Sequence, residues 1–256
     1  YLKDMKSFDE VLEAFDKQME YLVGLMISSV NTIEQVHKEY KPLPYLSLFI
    51  EDCVKNGRDV TAGGAKYNHS GPQALALGTA ADSLATIKQL VFDEKSITAE
   101  ELIDALKKNW EGYEKLYRLV NSDKVHHYGN DDDYADELAK FVFDTYCKYV
   151  EHRPNVRGGE FAPGVYSVAG NVPHGMVQWA SADGRQAYEP VSDCIGAVHT
   201  HVASHDIKGP TAMLNSVAKL DHERAGNGTL LNWKFNPSAV QGEIGLKNLI
   251  ALLDMI

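Results

Sequence analysis

The sequence has no long apolar run, no surplus of basic charge and few cysteines, and each lack closes off a class of function. No stretch approaches the roughly 18 consecutive apolar residues of a membrane span, and no basic segment precedes an apolar one near Tyr1, so neither a span nor a signal peptide is read. A net charge of −11 leaves no basic face to neutralise phosphates, which argues against a nucleic-acid or anionic-membrane partner. The three cysteines, Cys53, Cys147 and Cys194, are far apart and form no C-x-x-C pair, so neither a disulfide framework nor a zinc site is suggested, and a reducing cytoplasmic setting is expected. There is no G-x-S-x-G, no H-E-x-x-H and no glycine-rich loop closed by G-K-[ST].

What is present reads as a folded protein: 44% hydrophobic and 24% charged residues over 256 positions suffice for a substantial core. Ser7 and Glu10 form an S-x-x-E capping pattern. Behind it Val11, Phe15, Leu22, Met26 and Ile33 recur at helical spacing, which predicts one long amphipathic helix to Tyr40, stopped by Pro42 and Pro44. "ADSLATIKQLVF" predicts a helix with Leu84, Ile87, Leu90 and Val91 inward, Thr98 and Glu101 cap the next, and "DDDYADELAKFVFDTYCKYVEH" opens with aspartates suited to a helix N-terminus. From Phe161 onward short apolar runs alternate with Gly, Pro, Asp and Asn. "GTLLNWKF" (Gly228 to Phe235) reads as a strand, leading to a final helical pattern, "EIGLKNLIALLDMI". The fold class is therefore α/β, with no linker or repeat dividing the chain. A start at Tyr1 without Met and an end at Ile256 within a helical pattern suggest a portion of a longer protein.

Several clusters have both a chemical and a plain reading. "DVTAGGAKYNHSGPQ" (Asp59 to Gln73) lacks a phosphate-cradle signature, so its glycines are read as allowing a sharp loop close to other backbone. His199, His201, His205 and Asp206 form H-T-H-x-x-x-H-D, a spacing that can bring imidazoles to a metal, although hydrogen-bonded or solvated side chains are the commoner outcome, and no metal site is assigned. The run Asp131 to Asp133 lacks the calcium-loop pattern and reads as capping. Cys53 reads as a small buried hydrophobe; Cys194, flanked by Asp, Gly and Ser in "SDCIGAV", reads as a loop thiol that would need a base to act as a nucleophile.

Taken together, "DVTAGGAKYNHSGPQ", "ADSLATIKQLVFDE", "YGNDDDYADELA", "GVYSVAGNVPHG", "ASADGR", "KGPTAMLNSVAKLDHE" and "NGTLLNWKFNPSAVQGEIGL" resemble, in this order, glycyl radical enzymes related to pyruvate formate-lyase. The similarity is greatest to the branch of glycerol and diol dehydratases, choline lyase, hydroxyproline dehydratase, isethionate lyase and arylacetate decarboxylases. The resemblance implies a ten-stranded α/β barrel, of which residues 1–256 would be one partial domain, truncated at both ends, with long flanking helices. It implies an anaerobic, cytoplasmic lyase, in some relatives enclosed in a microcompartment. Such a lyase breaks a C–O, C–N, C–S or C–C bond of a small polar substrate after a cysteine thiyl abstracts hydrogen. No cofactor is bound directly; a separate radical S-adenosylmethionine activase with an iron-sulfur cluster installs the glycyl radical, and the whole protein is expected to be a homodimer.

Departures from the family pattern decide what this chain can contribute. Neither Cys53 nor Cys194 has a preceding glycine or a glutamate two residues later, so the catalytic cysteine of a G-C-V-E motif is expected upstream of Tyr1. Val168, Ala169 and Gly170 mimic the V-x-G of the radical loop, but Ser167 and Asn171 replace its arginine and aromatic residue, and the segment precedes "GPTAMLNSV" where the radical loop should follow; that loop is expected beyond Ile256. No catalytic residue is therefore assigned in this chain. The resemblance makes "GVYSVAGNV" a strand lining the cavity, with Tyr166 contacting substrate and Val168 on the same face by period two; the alternative for Tyr166 is a core aromatic. Ser167 stands where relatives often have proline, and "SDCIGAV" where they usually have S-D-G-[IV]-S-P. Two other readings stay open: a radical-addition synthase using fumarate, and a truncated, non-catalytic relative serving as a scaffold or binding module.

Overall fold

The computed structural model describes residues 1–254; Met255 and Ile256, into which the last helical pattern runs, lie outside the described residues. The elements are α1 (Phe8–Tyr40), α2 (Pro44–Ser47), α3 (Cys53–Asn56), β1 (Gln73–Ala74), α4 (Leu77–Thr86), α5 (Ala99–Lys107), α6 (Glu114–Val120), α7 (Asp133–Val150), β2 (Gly164–Val165), α8 (Asn171–Gly175), α9 (Pro210–Ala218) and α10 (Gly242–Leu253). Among the described residues no helix is long and apolar enough to cross a membrane.

The helix starts follow local chemistry. The Ser7 hydroxyl accepts from the Glu10 amide at 3.4 Å, while the Glu10 carboxylate turns back one residue further, to the Lys6 amide at 3.1 Å. Thr98 and Glu101 complete both bonds of a capping box, at 3.1 and 2.8 Å. Asp132 caps α7 by accepting from the Tyr134 amide at 3.1 Å. Helix α1 runs for 33 residues and ends at Tyr40, two residues before Pro42, which offers no N–H.

The main core forms where α4 and α7 pack, with α1 laid along α7; Ala81, Ala85, Ala139, Phe143 and Val150 are fully or almost fully buried there. Asp16 of α1 accepts from Lys148 Nζ at 3.0 Å and from the Tyr149 hydroxyl at 2.7 Å, fixing the pair at its edge. A second core gathers Leu90, Leu102, Ala105, Trp110, Leu116 and Val120; each leucine buried there contributes about 2 kcal/mol. Between the cores α4 continues as a π-helical segment, Ile87–Asp93. From it Gln89 donates to the Lys124 carbonyl at 2.9 Å and accepts from the His126 amide at 3.0 Å, holding the loop before α7.

Among the described residues only short β-structure is formed, and two sequence expectations are corrected. Strand β1 pairs with β2 in parallel, Gln73 with Gly164 and Ala74 with Val165, and on the far side of β2 a single parallel bridge joins Val165 to Thr229. The expected strand from Gly228 to Phe235 is thus reduced to one bridge, because an apolar run becomes a strand only where its N–H and C=O groups find a neighbouring edge. The described residues are mostly helical, and the ten-stranded barrel of which they were expected to be a part is not itself seen within them. The strand expected to carry Tyr166 and Val168 ends at Val165: Val168 and Ala169 take φ of +45° and +67°, the left-handed region, which breaks period-two alternation. The loop from Asp59 behaves as expected, since a Cβ on Gly63 or Gly64 would overlap the carbonyls of Arg157 and Arg58.

Candidate functional site

The turn after β2 carries the two residues singled out in the sequence. Tyr166 is half-buried, and its hydroxyl accepts from Asn227 Nδ2 at 2.9 Å. Val168 is 72% exposed, unusual for a β-branched residue at positive φ and a sign of a turn whose shape is dictated by its neighbours. Between them Ser167 points inward and is 4% exposed.

Ser167 meets a second loop there. Its amide donates to Cys194 Sγ at 3.3 Å, its hydroxyl lies 3.3 Å from the same sulfur, and that hydroxyl also donates to Asp193 Oδ1. The Cys194 thiol donates to Asp193 Oδ1 at 3.0 Å, and Asn232 Nδ2 donates to Asp193 Oδ2 at 2.8 Å. Burial opposes the charge on Asp193, but the bonds from Cys194, Ser167 and Asn232 outweigh it and hold the carboxyl below its usual range. Burial, followed by the Asp193 contact, raises the Cys194 thiol. Cys194 is therefore an enclosed, protonated hydrogen-bonding group and not a ready nucleophile. Asp193 and Asn232 also face a cavity of about 530 Å³, whose wall includes Asn171, Val191, Met213 and Trp233; Tyr166 and Val168 are not part of that wall.

The histidine cluster of the sequence disperses. His199 pairs with Asp206 at 3.1 Å, His201 with Glu189, and His205 turns inward to Asp82. Sequence reading missed His127, which joins His205 and Asp82 in a group that is at most 5% exposed. His205 Nδ1 donates to Asp82 Oδ2 at 2.7 Å, and His127 Nδ1 lies 3.3 Å from that oxygen but too far out of line for a hydrogen bond. Asp82 Oδ1 accepts from the Tyr128 amide at 2.7 Å. Burial works against both charges, yet their mutual contact prevails: Asp82 is held low and His127 is raised. The three side chains bring possible ligand atoms within 4.8 Å of one another, with the two imidazoles tilted at 30° and their centroids 3.9 Å apart. His205 Nδ1 is engaged with Asp82 Oδ2, and no metal site is assigned to the group. Nearby Asp183, with no exposure and one unpartnered oxygen, is raised by burial, and the buried guanidinium of Arg185 is satisfied by the carbonyls of Trp179, Gln186 and Glu189.

Cys53 and Cys147 are also buried, and burial pushes the Cys147 thiol up to about 12. The chain contains neither G-C-V-E nor R-V-x-G-[YF].

A pyruvate formate lyase-like family model matches residues 1–175, and a glycine radical model matches residues 198–256. The chain is 56% identical over 253 residues to (2S)-3-sulfopropanediol dehydratase of Klebsiella oxytoca, covering 99% of this chain and 31% of that protein. It is 41% identical to trans-4-hydroxy-L-proline dehydratase of Clostridioides difficile, with 98% and 31% covered. The glycerol-bound structure of the B12-independent glycerol dehydratase from Clostridium butyricum superposes with a TM-score of 0.91 at 41% identity, over 99% of this chain and 32% of that one. The chain thus spans about a third of the length of these relatives. With both family models in sequence order and close relatives over nearly its whole length, the chain belongs to the glycyl radical enzymes of the pyruvate formate lyase-like family.

Proposed function

We propose that the whole protein is a glycyl radical dehydratase that removes water from a small vicinal diol or related hydroxylated substrate, and that this chain supplies part of the wall around that substrate. The observation that carries the reading is the match, over nearly all of this chain, to a solved glycerol dehydratase and to two further relatives named as dehydratases. Hydrogen abstraction and return are supplied by a cysteine thiyl and a glycyl radical, installed by a radical S-adenosylmethionine activase and carried on motifs absent from these 256 residues.

The chain's own contribution is shape and hydrogen bonding. Tyr166 offers a ring and a hydroxyl already oriented by Asn227, so a substrate oxygen can be bonded with little loss of side-chain freedom. Val168, exposed on the same turn, offers an apolar surface that helps keep water from a substrate radical. The polar groups behind the turn are engaged with one another, leaving Tyr166 as the polar group that the turn presents.

Anaerobic co-expression of the complete gene with its activase, followed by EPR and a screen of glycerol, propane-1,2-diol and 3-sulfopropane-1,2-diol, tests the reading. A glycyl radical signal with aldehyde formed from a diol supports it; a radical with no aldehyde formed from any of the three diols overturns it.

A further inference from the structure

Ser167 and Cys194 lie 27 positions apart in the sequence and are in direct contact. Proline has neither the amide hydrogen nor the hydroxyl that Ser167 directs at Cys194 and Asp193, and glycine has no thiol to receive one and donate onward. Cys194 also sits at φ +52°, a left-handed conformation that is strained for an L-residue and free for glycine, so its side chain is held against a backbone penalty.

A proline at 167 would fix its own φ and restrict the residue before it, here Tyr166. With serine that covalent restraint is absent, and the turn is instead tied by the Ser167 amide to sulfur, the Ser167 hydroxyl to Asp193 and the thiol to Asp193. Asn232 holds the other oxygen of Asp193 from the cavity side.

We propose that Ser167 and Cys194 act as one positioning unit, anchored on Asp193, that sets how the turn presents Tyr166 and Val168 to the substrate and thereby tunes substrate choice. The inference rests on the reading that these two residues line the substrate cavity. It makes neither residue catalytic, and it predicts that replacing Ser167 by proline or Cys194 by glycine alone is worse than making both changes together.

The test uses the full-length, activated protein with Ser167→Pro, Cys194→Gly, the double variant and the conservative Cys194→Ser, each assayed on the three diols with radical content measured by EPR. Each single replacement is expected to raise KM more than it lowers kcat, with radical content unchanged. The double variant is expected to recover at least about fivefold of the combined loss in kcat/KM, and Cys194→Ser to keep most of the parent's selectivity. Strict multiplication of the single effects, or identical selectivity in all variants, overturns the unit. Should the parent turn over none of the diols, the functional reading falls instead. The coupling is then read from thermal unfolding midpoints of the same proteins, where additivity overturns the pair.

Discussion

His127 and His205 lie with their ring centroids 3.9 Å apart and compete for one carboxylate oxygen of Asp82 inside the protein. The raised pKa of His127 means that its contribution to stability is complete below its unfolded value, about 6.5, and fades as pH rises through the folded value. Asp82, held low, contributes above its usual 3.8 and fades on acidification below it. Chemical denaturation of the full-length protein is expected to give a stability plateau between these limits and a fall above about pH 6.5. Asp82→Asn should cost about 3–5 kcal/mol near pH 6 and flatten the alkaline fall. An unchanged alkaline slope in that variant would remove the pair from the explanation.

Lys219 lies 3.0, 2.7 and 2.7 Å from the carboxylates of Asp131, Asp133 and Asp136, of which Asp136 is completely buried and Asp133 is 84% exposed. Lys219→Met strands a buried carboxyl and should cost about 3–5 kcal/mol. Asp133→Asn, by contrast, should cost under about 1 kcal/mol. Thermal unfolding of the two full-length variants separates these values; equal effects would contradict the burial argument.

Tyr166→Phe retains the ring and removes the hydroxyl bonded by Asn227. In the activated full-length enzyme kcat/KM should fall about tenfold, the scale of one hydrogen bond, while the EPR signal keeps its intensity. Unchanged kinetics on every diol would assign Tyr166 to the core instead.

The 256-residue chain alone, incubated with an activase, should form no glycyl radical and turn over no substrate, because neither radical motif is present. Appearance of the radical by EPR would disprove this.

What could be read from sequence was what depends on neighbours within a helical turn. Ser7, Thr98 and Asp132 cap their helices because side-chain oxygens reach amides two or three residues on. The family was legible as well, because its ordered segments survive together in the chain. Contacts between distant segments were not legible: Asp82 and His127 are 45 positions apart, and no local pattern announces their meeting. His199, His201 and His205 shared a short motif but went to three different carboxylates. The apolar run after Gly228 had strand composition, but strand formation requires an edge supplied by other residues, and Val165 supplied it only to Thr229.

The π-helical segment from Ile87 to Asp93 makes the chain intolerant of a length change at that point. Its wider turn takes up roughly one residue more than an α-turn, which lets a single rod present Leu84 and Ala85 to one interior and Leu90 to the other. Removing one residue there would close the turn to α-helical pitch, leave the helix beyond it nearly in phase and redirect the residues within the turn itself. Leu90 would leave its core, and Gln89 would release the loop that leads to His127. A surface loop of equal length would absorb such a deletion; here a single codon couples both interiors to the buried histidine pair.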